Sequence, residues 1–192
     1  MSTEAPAFRP LTSAERLELL WFARQSIHAA LHGAAPPECR APTPTLTAPG
    51  AAFVSLHQQH RLRGCIGTLA ADRPLYRAVA QMALSAAFDD PRFPPLTKSE
   101  LPEVDIEISR LSPLVPGLPE QVCPGRHGVC VTQGDHRGVF LPQVALEYHW
   151  DRETLLRELC RKALLPPDAW RHPSTTLTLF EAEVFGEEAA DR

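Results

Sequence analysis

The sequence predicts an α+β fold, mainly antiparallel or mixed sheet with flanking helices. Three observations support this class: strand-like segments are joined in pairs by short polar turns, apolar stripes at helical spacing lie between them, and no Gly-x-Gly-x-x-Gly sequence follows a strand. Strands paired by hairpins with helices between them are typical of α+β proteins, and the missing glycine pattern argues against a dinucleotide-binding fold. A length of 192 residues fits one domain.

The first helix is predicted over residues 13–32. Thr12 and Glu15 have the spacing of a capping box, in which the hydroxyl and the carboxylate each accept a backbone N–H. Gly33 provides the stop, because glycine readily adopts the left-handed conformation that ends many helices. The apolar stripe of this helix consists of Leu17, Leu20, Trp21, Ile27 and Leu31. Residues 1–11 before it are expected to form a loose arm.

Proline clusters and alternating apolar residues define the remaining elements. The chain has 20 prolines, and their clusters predict fixed loops at 34–50 and 112–126. The predicted strands are 52–57, 62–69, 104–110, 129–132, 138–141 and 176–185. The predicted helices run from Pro74 to Asp89-Asp90-Pro91, from Pro142 to about Tyr148, and from Asp151 to Pro166-Pro167. Together these elements form one domain over residues 12–186, followed by a frayed tail at 187–192.

Composition excludes several classes of protein. Hydrophobic residues make up 44% of the chain and charged residues 22%, which supplies enough apolar surface for folding. The net charge of −4 argues against a general polyanion binder. Charged residues among the first thirty interrupt any signal-peptide core, and no apolar stretch reaches the roughly 18 residues of a membrane helix. The expected compartment is therefore the cytoplasm, without membrane attachment.

The cysteines and histidines do not predict disulfides or a metal site. The five cysteines are odd in number and irregular in spacing, and no Cys-x-x-Cys occurs, so reduced thiols are expected. His28 and His32 lie four residues apart on the first helix, but no third ligand accompanies them, and zinc needs at least three protein ligands. No metal ligand is therefore assigned, and the sequence does not identify a cofactor.

The most unusual local sequence is Arg63-Gly64-Cys65-Ile66-Gly67-Thr68. Two glycines in a strand indicate a close backbone approach, a bulge, or a ligand against bare main chain. Arg63 and Cys65 lie two residues apart and therefore share a strand face, where a guanidinium would favour the thiolate. The alternative is that Cys65 is a small buried hydrophobic residue, which on residue chemistry alone is the commoner case.

Three other places carry candidate residues. His127 opens the second hairpin as a candidate general base for a thiol, and the alternative is an edge-strand histidine bonded to water. Arg92 and Phe93 lie in a rigid proline-rich turn that either forms one wall of a cleft or simply ends the preceding helix. Gln143 lies at a strand-to-helix junction, where free N–H groups can bind an anion, and the alternative is an ordinary junction.

Six short motifs occur in order between about residues 52 and 185. They are Leu62-Arg63-Gly64-Cys65-Ile66-Gly67-Thr68, Asp90-Pro91-Arg92-Phe93-Pro94-Pro95-Leu96, His127-Gly128-Val129, Phe140-Leu141-Pro142-Gln143-Val144-Ala145, Trp150-Asp151 and Arg161-Lys162-Ala163. Their order resembles the AMMECR family, whose bacterial and archaeal members are called AmmeMemoRadiSam system protein A. Leu69, where the family often has an aromatic residue, and Leu164, where many members have glycine, depart from its pattern.

The resemblance implies an α+β fold with a larger and a smaller lobe and a cleft lined by the 63–68 signature. It also implies an association with a Memo-like protein and a radical-SAM protein, but no established activity. We therefore expect an enzyme, or an enzyme component, acting on an unidentified small molecule in the cleft. Cys65 would be the nucleophile, His127 the base and Arg63 the thiolate stabiliser or anion clamp. The other ligand-binding candidates are Gly64, Gly67, Thr68, Arg92, Phe93 and Gln143.

The alternative function is a non-catalytic binding or scaffold module that presents a proline-rigid groove. In that case Cys65 and the two glycines of the signature only pack. Nucleic-acid binding is a weaker third hypothesis, because aromatic residues are sparse around the local arginines and the chain is net acidic.

The side chains of the signature strand are also predicted to take opposite faces. We expect Leu62 and Ile66 to pack inward on the second helix, which leaves Arg63 on the opposite face, toward the cleft. There Arg63 is either a bidentate anion clamp or one member of a salt bridge to Asp90 or Glu107.

Overall fold

The computed structural model describes residues 8–187. It confirms the α+β class, with two antiparallel sheets and five α-helices among those residues. The helices are α1 (Ser13–His32), α2 (Pro44–Thr47), α3 (Leu75–Phe88), α4 (Pro142–Glu147) and α5 (Arg152–Lys162). The strands are β1 (Ala51–Gln58), β2 (Arg61–Gly67), β3 (Val104–Leu111), β4 (Val115–Gly117), β5 (Gly128–Gln133), β6 (His136–Phe140), β7 (Thr176–Phe180) and β8 (Ala182–Gly186).

The chain divides into two compact units. Among the described residues, the first unit contains 8–111 and 183–187, and the second unit is Ser112–Ala182. This division agrees with the larger and smaller lobes expected from the sequence, whereas the cleft between them stays a prediction.

The first unit is a four-stranded sheet with α1 and α3 packed on one face. The strand order is β2-β1-β3-β8. Burial alternates along β1, since Ala52, Val54 and Leu56 are buried and the residues between them are only partly buried. The predicted stripe of α3 completes this core with Leu75, Val79, Met82, Ala83 and Ala86. The sheet therefore has a core face toward the helices and a second, more polar face.

The second unit has its own sheet and its own core. Its strand order is β4-β7-β5-β6, and α4 and α5 pack against β5 and β6. The apolar face of α5 contributes Leu155, Leu156 and Leu159, which pack with Val129 and Val131 of β5. The Asp151 side chain caps α5 by accepting the Thr154 N–H at 2.8 Å, as the sequence predicts.

Helix α1 has the predicted bounds and caps. The Thr12 hydroxyl accepts the Glu15 N–H, the Glu15 carboxylate accepts the Thr12 N–H at 2.9 Å, and Gly33 is left-handed with a φ of 63°. One member of the predicted stripe is wrong, because Leu17 is 66% exposed whereas Leu19 is buried. Residues two apart are separated by about 200° around a helix, so burying Leu19 turns Leu17 away from the core.

The predicted closing strand is wrong as a single element. It separates at Glu181 into β7, in the sheet of the second unit, and β8, in the sheet of the first. Glu181 instead bonds to Ser112: its carbonyl accepts the Ser112 N–H, and its own N–H donates to the Ser112 hydroxyl, both at 2.9 Å. The alternating pattern runs through this break, so it could not reveal a change of sheet.

The proline-rich loops contain short regular elements that the sequence analysis missed. Helix α2 lies within the predicted loop 34–50, and strand β4 lies within the predicted loop 112–126. A Thr43 hydroxyl caps α2, and a proline occupies its first turn, which are ordinary start signals for a helix.

The two predicted flexible ends lie partly outside the described residues, at 1–7 and 188–192. Of the predicted arm, Leu11 is buried and its N–H donates to the Glu183 carboxylate at 3.0 Å. Glu187, the first residue of the predicted tail, forms an ion pair with Arg24. Over the described part of the chain, none of the helices combines the length and the apolar character needed to cross a membrane.

Candidate functional site

Cys65 lies on the sheet face of the first unit that α1 and α3 do not cover. In the strand register, Cys65 of β2 is directly opposite Ser55 of β1, and Ser55 is opposite Glu107 of β3. Directly opposed residues of an antiparallel sheet share one face and lie side by side. Three partly exposed polar side chains therefore form a row across three strands.

The Cys65 thiol accepts a hydrogen bond from its neighbour in this row. Ser55 Oγ donates to Cys65 Sγ at 3.2 Å. A hydroxyl donor stabilises negative charge that develops on sulfur. Cys65 is only partly buried, unlike Cys130 and Cys160, which are buried in the second unit.

The peptide groups on both sides of Cys65 are held by the turn that follows α3. The Asp90 carboxylate accepts the Cys65 N–H at 2.9 Å, and Arg92 Nη2 donates to the Cys65 carbonyl at 3.1 Å. Arg92 also donates from Nε and Nη2 to the two Asp90 oxygens, at 2.9 and 2.7 Å. The Asp90-Arg92 pair thus fixes the backbone that carries the thiol.

The two members of this ion pair differ in exposure and in role. The Asp90 side chain is 2% exposed, whereas that of Arg92 is 55% exposed. Hydrogen bonds from the Arg92 guanidinium outweigh burial and hold the pKa of Asp90 well below its usual range. The guanidinium also lies over the Phe93 ring, 5.5 Å from its centroid. Among residues 8–187, Arg92 Nη1 has no hydrogen-bond partner, so it is the part of this cluster that remains for a ligand.

Arg63 is not on an open face. It is 8% exposed, and its Nε and Nη2 donate to the Glu100 carboxylate at 3.0 and 3.3 Å. These hydrogen bonds, opposed by burial, lower the pKa of Glu100 to about 2. The salt-bridge alternative is therefore the observed one, although its partner is neither Asp90 nor Glu107.

A β-bulge explains why the predicted faces of β2 are wrong. Leu56 is opposite Gly64, but the next residue of β1 is opposite Leu62, so Arg63 is an extra residue in β2. Beyond the bulge the alternation is shifted, because one inserted residue exchanges the two faces. Leu62, predicted to pack inward, is consequently 40% exposed, whereas Ile66 does pack against the core.

The two glycines of the signature permit close approaches within the first unit. A Cβ at Gly64 would lie 2.1 Å from the carbonyl oxygen of Ala86 in α3, and one at Gly67 would lie 2.1 Å from the Phe53 ring. Of the three explanations that the sequence left open, close packing of neighbouring groups against the backbone accounts for both glycines. Thr68 is likewise engaged locally, since its N–H donates to the Ala52 carbonyl at 3.0 Å.

His127 and Gln143 belong to the second unit, whereas Cys65 belongs to the first. His127 Nδ1 accepts the Cys123 N–H at 3.2 Å, which places the proton of a neutral ring on Nε2. The side-chain oxygen of Gln143 is buried without a hydrogen-bond partner among the described residues. The association of Cys65 with His127 stays a prediction. The polar side chains that the structure places at Cys65 are those of Ser55, Asp90 and Arg92.

Sequence reasoning missed Ser55 and Glu100, and it named Glu107 only as a possible ion-pair partner of Arg63. Strand alternation puts Ser55 and Glu107 on the polar faces of their own strands, but it does not show that β1 is the strand between β2 and β3. Glu100 lies 37 residues from Arg63 and has no local signal at all.

Residues 8–187 contain no group of three or more His, Cys, Asp or Glu residues suited to a metal ion. His28 and His32 stack on each other with ring centroids 4.2 Å apart. His32 Nδ1 contacts the His28 carbonyl at 2.9 Å, so this nitrogen hydrogen-bonds the backbone in the last turn of α1.

Comparison with known proteins gives consistent relationships. The family model AMMECR1 matches residues 20–185. Protein MK0488 of Methanopyrus kandleri is 40% identical over 188 residues, covering 93% of this chain and 91% of its own length. A protein of Thermococcus onnurineus is 44% identical over 147 residues, 71% of this chain and 72% of its own.

A solved structure extends this similarity to the fold. The crystal structure of uncharacterized protein PH0010 from Pyrococcus horikoshii matches with a TM-score of 0.81 and 38% sequence identity. The match covers 88% of this chain and 90% of that one. Because the family model spans most of the chain, from α1 through β8, and the fold agrees, the chain belongs to the AMMECR1 family.

Proposed function

We propose that the chain uses Cys65 as a nucleophile toward a small anionic molecule, as an enzyme or as one component of an enzyme. Two observations carry this proposal: the Ser55 hydroxyl donates to the thiol, and the exposed Arg92 guanidinium donates to the carbonyl of the same cysteine. A hydrogen-bond donor at sulfur and a nearby cation are features of cysteines that act as nucleophiles.

Arg92 takes the anion-binding role first expected for Arg63. A guanidinium is suited to a carboxylate or phosphate group because its planar donors can form two parallel hydrogen bonds. Arg63 donates from Nε and Nη2 to Glu100, and its unpartnered Nη1 is buried. Arg92 donates from the same two atoms to Asp90, but its guanidinium is exposed, so its Nη1 is accessible to a ligand. Three other predicted ligand contacts lie within three residues of Cys65 or Arg92 in the sequence: Gly67, Thr68 and Phe93.

Glu107 is the carboxylate on the face that carries Cys65, directly opposite Ser55. It lies two strands from Cys65, about 9–10 Å away, so it does not accept the thiol proton directly. His127, the base expected from the sequence, has Nδ1 occupied by its own turn. The Memo-like and radical-SAM partners implied by the family resemblance remain part of this proposal, and co-purification with each partner tests them.

Alkylation of the folded protein tests the nucleophile. We expect limiting iodoacetamide at neutral pH to modify Cys65 faster than the more exposed Cys123, as measured by mass spectrometry of peptides. Arg92→Gln and Ser55→Ala should each slow the reaction of Cys65 severalfold and leave Cys123 unchanged. Arg73→Gln is the matched control, because Arg73 forms an exposed ion pair with the adjacent Asp72.

A protected Cys65 in a protein whose Cys123 reacts would contradict the proposal. The second candidate, a non-catalytic binding module, is favoured by the structural roles of Arg63 and Gly64. For that function, Cys65→Ser should leave the binding of a Memo-like partner intact. If Cys65→Ser instead loses partner binding while its melting temperature is unchanged, the result would support a functional role of the Cys65 thiol.

A further inference from the structure

A cavity separate from the Cys65 face lies between α1 and α3 of the first unit. Its volume is about 610 Å³, and the proline-rich loop after α1 closes one side through Pro36, Pro37 and Pro42. Cavities of roughly 300–1,000 Å³ are typical of small-molecule sites. The proline residues already restrict the loop, so its ordering on ligand binding costs little.

Small side chains keep this cavity open. Ala29 and Ala30 of α1 and Ala80 of α3 line it, where larger residues would fill the space between the helices. An aromatic pair lines another part of the wall, with Phe22 and Tyr76 packed edge to face at a centroid distance of 5.3 Å. The lining is therefore mostly apolar and suited to a flat or compact hydrocarbon body.

Two hydroxyl groups in the lining retain hydrogen-bonding capacity. The Tyr76 oxygen accepts from Arg77 Nε at 3.0 Å, and its own O–H has no acceptor among residues 8–187. Ser26 Oγ donates to the Phe22 carbonyl at 2.7 Å, so this buried oxygen keeps lone pairs that can accept. The cavity thus offers a donor at Tyr76 and an acceptor at Ser26.

The charges of the lining balance. Arg77 is its cation and Glu38 its anion. Burial raises the pKa of the Cys39 thiol, which also lines the cavity and stays protonated at neutral pH. Moving an ionised ligand from water into this mostly apolar lining is costly, and the lining carries no net charge that would offset the cost.

We propose that this cavity binds an uncharged, mostly apolar small molecule with a hydroxyl or carbonyl group, its body against the alanines and its polar group on Tyr76 or Ser26. The role is independent of Cys65, which lies on the other face of the sheet.

Binding of 2-naphthol, which is uncharged at neutral pH, tests the proposal by isothermal titration calorimetry. We expect saturable one-to-one binding that weakens at least tenfold in Ala80→Phe, which fills the cavity, and severalfold in Tyr76→Phe, which keeps the ring but removes the hydroxyl. Ala30→Phe is a second filling variant in case Ala80→Phe does not fold. Ala70→Phe, at an exposed position outside the cavity, should bind as the original chain does.

Three results would overturn the inference. The first is no saturable binding of 2-naphthol, and the second is undiminished binding in the folded filling variants. The third is tighter binding of 2-naphthoate than of 2-naphthol, which would show that Arg77 selects an anion. Alkylation of Cys65 should be unchanged by 2-naphthol, so this test and that of the nucleophile can fail separately.

Discussion

Replacing Asp90 by alanine should release the turn after α3 from β2. The carboxylate accepts the N–H groups of Cys65 and Arg92 at 2.9 and 3.1 Å and also binds the Arg92 guanidinium. Leaving the Cys65 N–H without an acceptor costs about 1–3 kcal/mol. The ion pair adds at most about 1 kcal/mol, because the 55% exposed guanidinium of Arg92 regains water.

The expected loss of unfolding free energy for Asp90→Ala is therefore about 3 kcal/mol. Urea unfolding followed by circular dichroism measures it. Asp89→Ala is the matched control, since Asp89 is exposed and its carboxylate accepts only from Ser85 Oγ, at 3.1 Å, so its loss should stay within about 0.5 kcal/mol. A loss below about 1 kcal/mol for Asp90→Ala, equal to that of the control, would refute the assigned role of this carboxylate.

Gly64→Ala should lower the unfolding free energy by about 2–3 kcal/mol, because its Cβ would lie 2.1 Å from the Ala86 carbonyl oxygen. Gly134→Ala is the control: its Cβ would contact no neighbour, and its φ of 57° should cost about 1 kcal/mol. Urea unfolding should show the larger loss for Gly64→Ala. Arg63→Lys keeps the charge but loses one of the two hydrogen bonds to Glu100, so the unfolding free energy should fall by about 1 kcal/mol in thermal unfolding. An unchanged melting temperature would contradict a stabilising role of this buried ion pair. The lowered pKa of Glu100, about 2 in the folded protein against 4.5 ordinarily, contributes stability that is complete above about pH 5 and is lost as the pH falls toward about 2. The melting temperature should therefore fall between about pH 5 and pH 2, and it should fall less steeply with pH in Glu100→Gln. Parallel curves of melting temperature against pH for the original chain and Glu100→Gln would exclude a stabilising role of the Glu100 carboxylate.

Much of the fold was predictable because its signals are local. The Thr12–Glu15 capping box and Gly33 defined α1, and the apolar stripe from Leu75 to Ala86 defined α3. Alternation predicted β3 within one residue, since one side of that strand faces a helix layer. Helix caps and the periodic spacing of buried residues depend on residues within a few positions of one another, so they are visible in the sequence itself. The motif order then predicted the family.

The sequence indicated Cys65 as the centre of a candidate site, but it did not indicate which side chains surround that residue. The signature around Cys65 stands out because two glycines and a cysteine in one strand are unusual. Its neighbours were decided by tertiary structure, since the β-bulge moved Arg63 onto Glu100 and the strand order brought Ser55 beside the thiol. A bulge changes the facing of every residue beyond it, and strand pairing joins residues far apart in the chain. Neither leaves a local pattern. The sequence by itself therefore singled out Cys65 as the candidate residue, and only the folded sheet decided which side chains lie beside it.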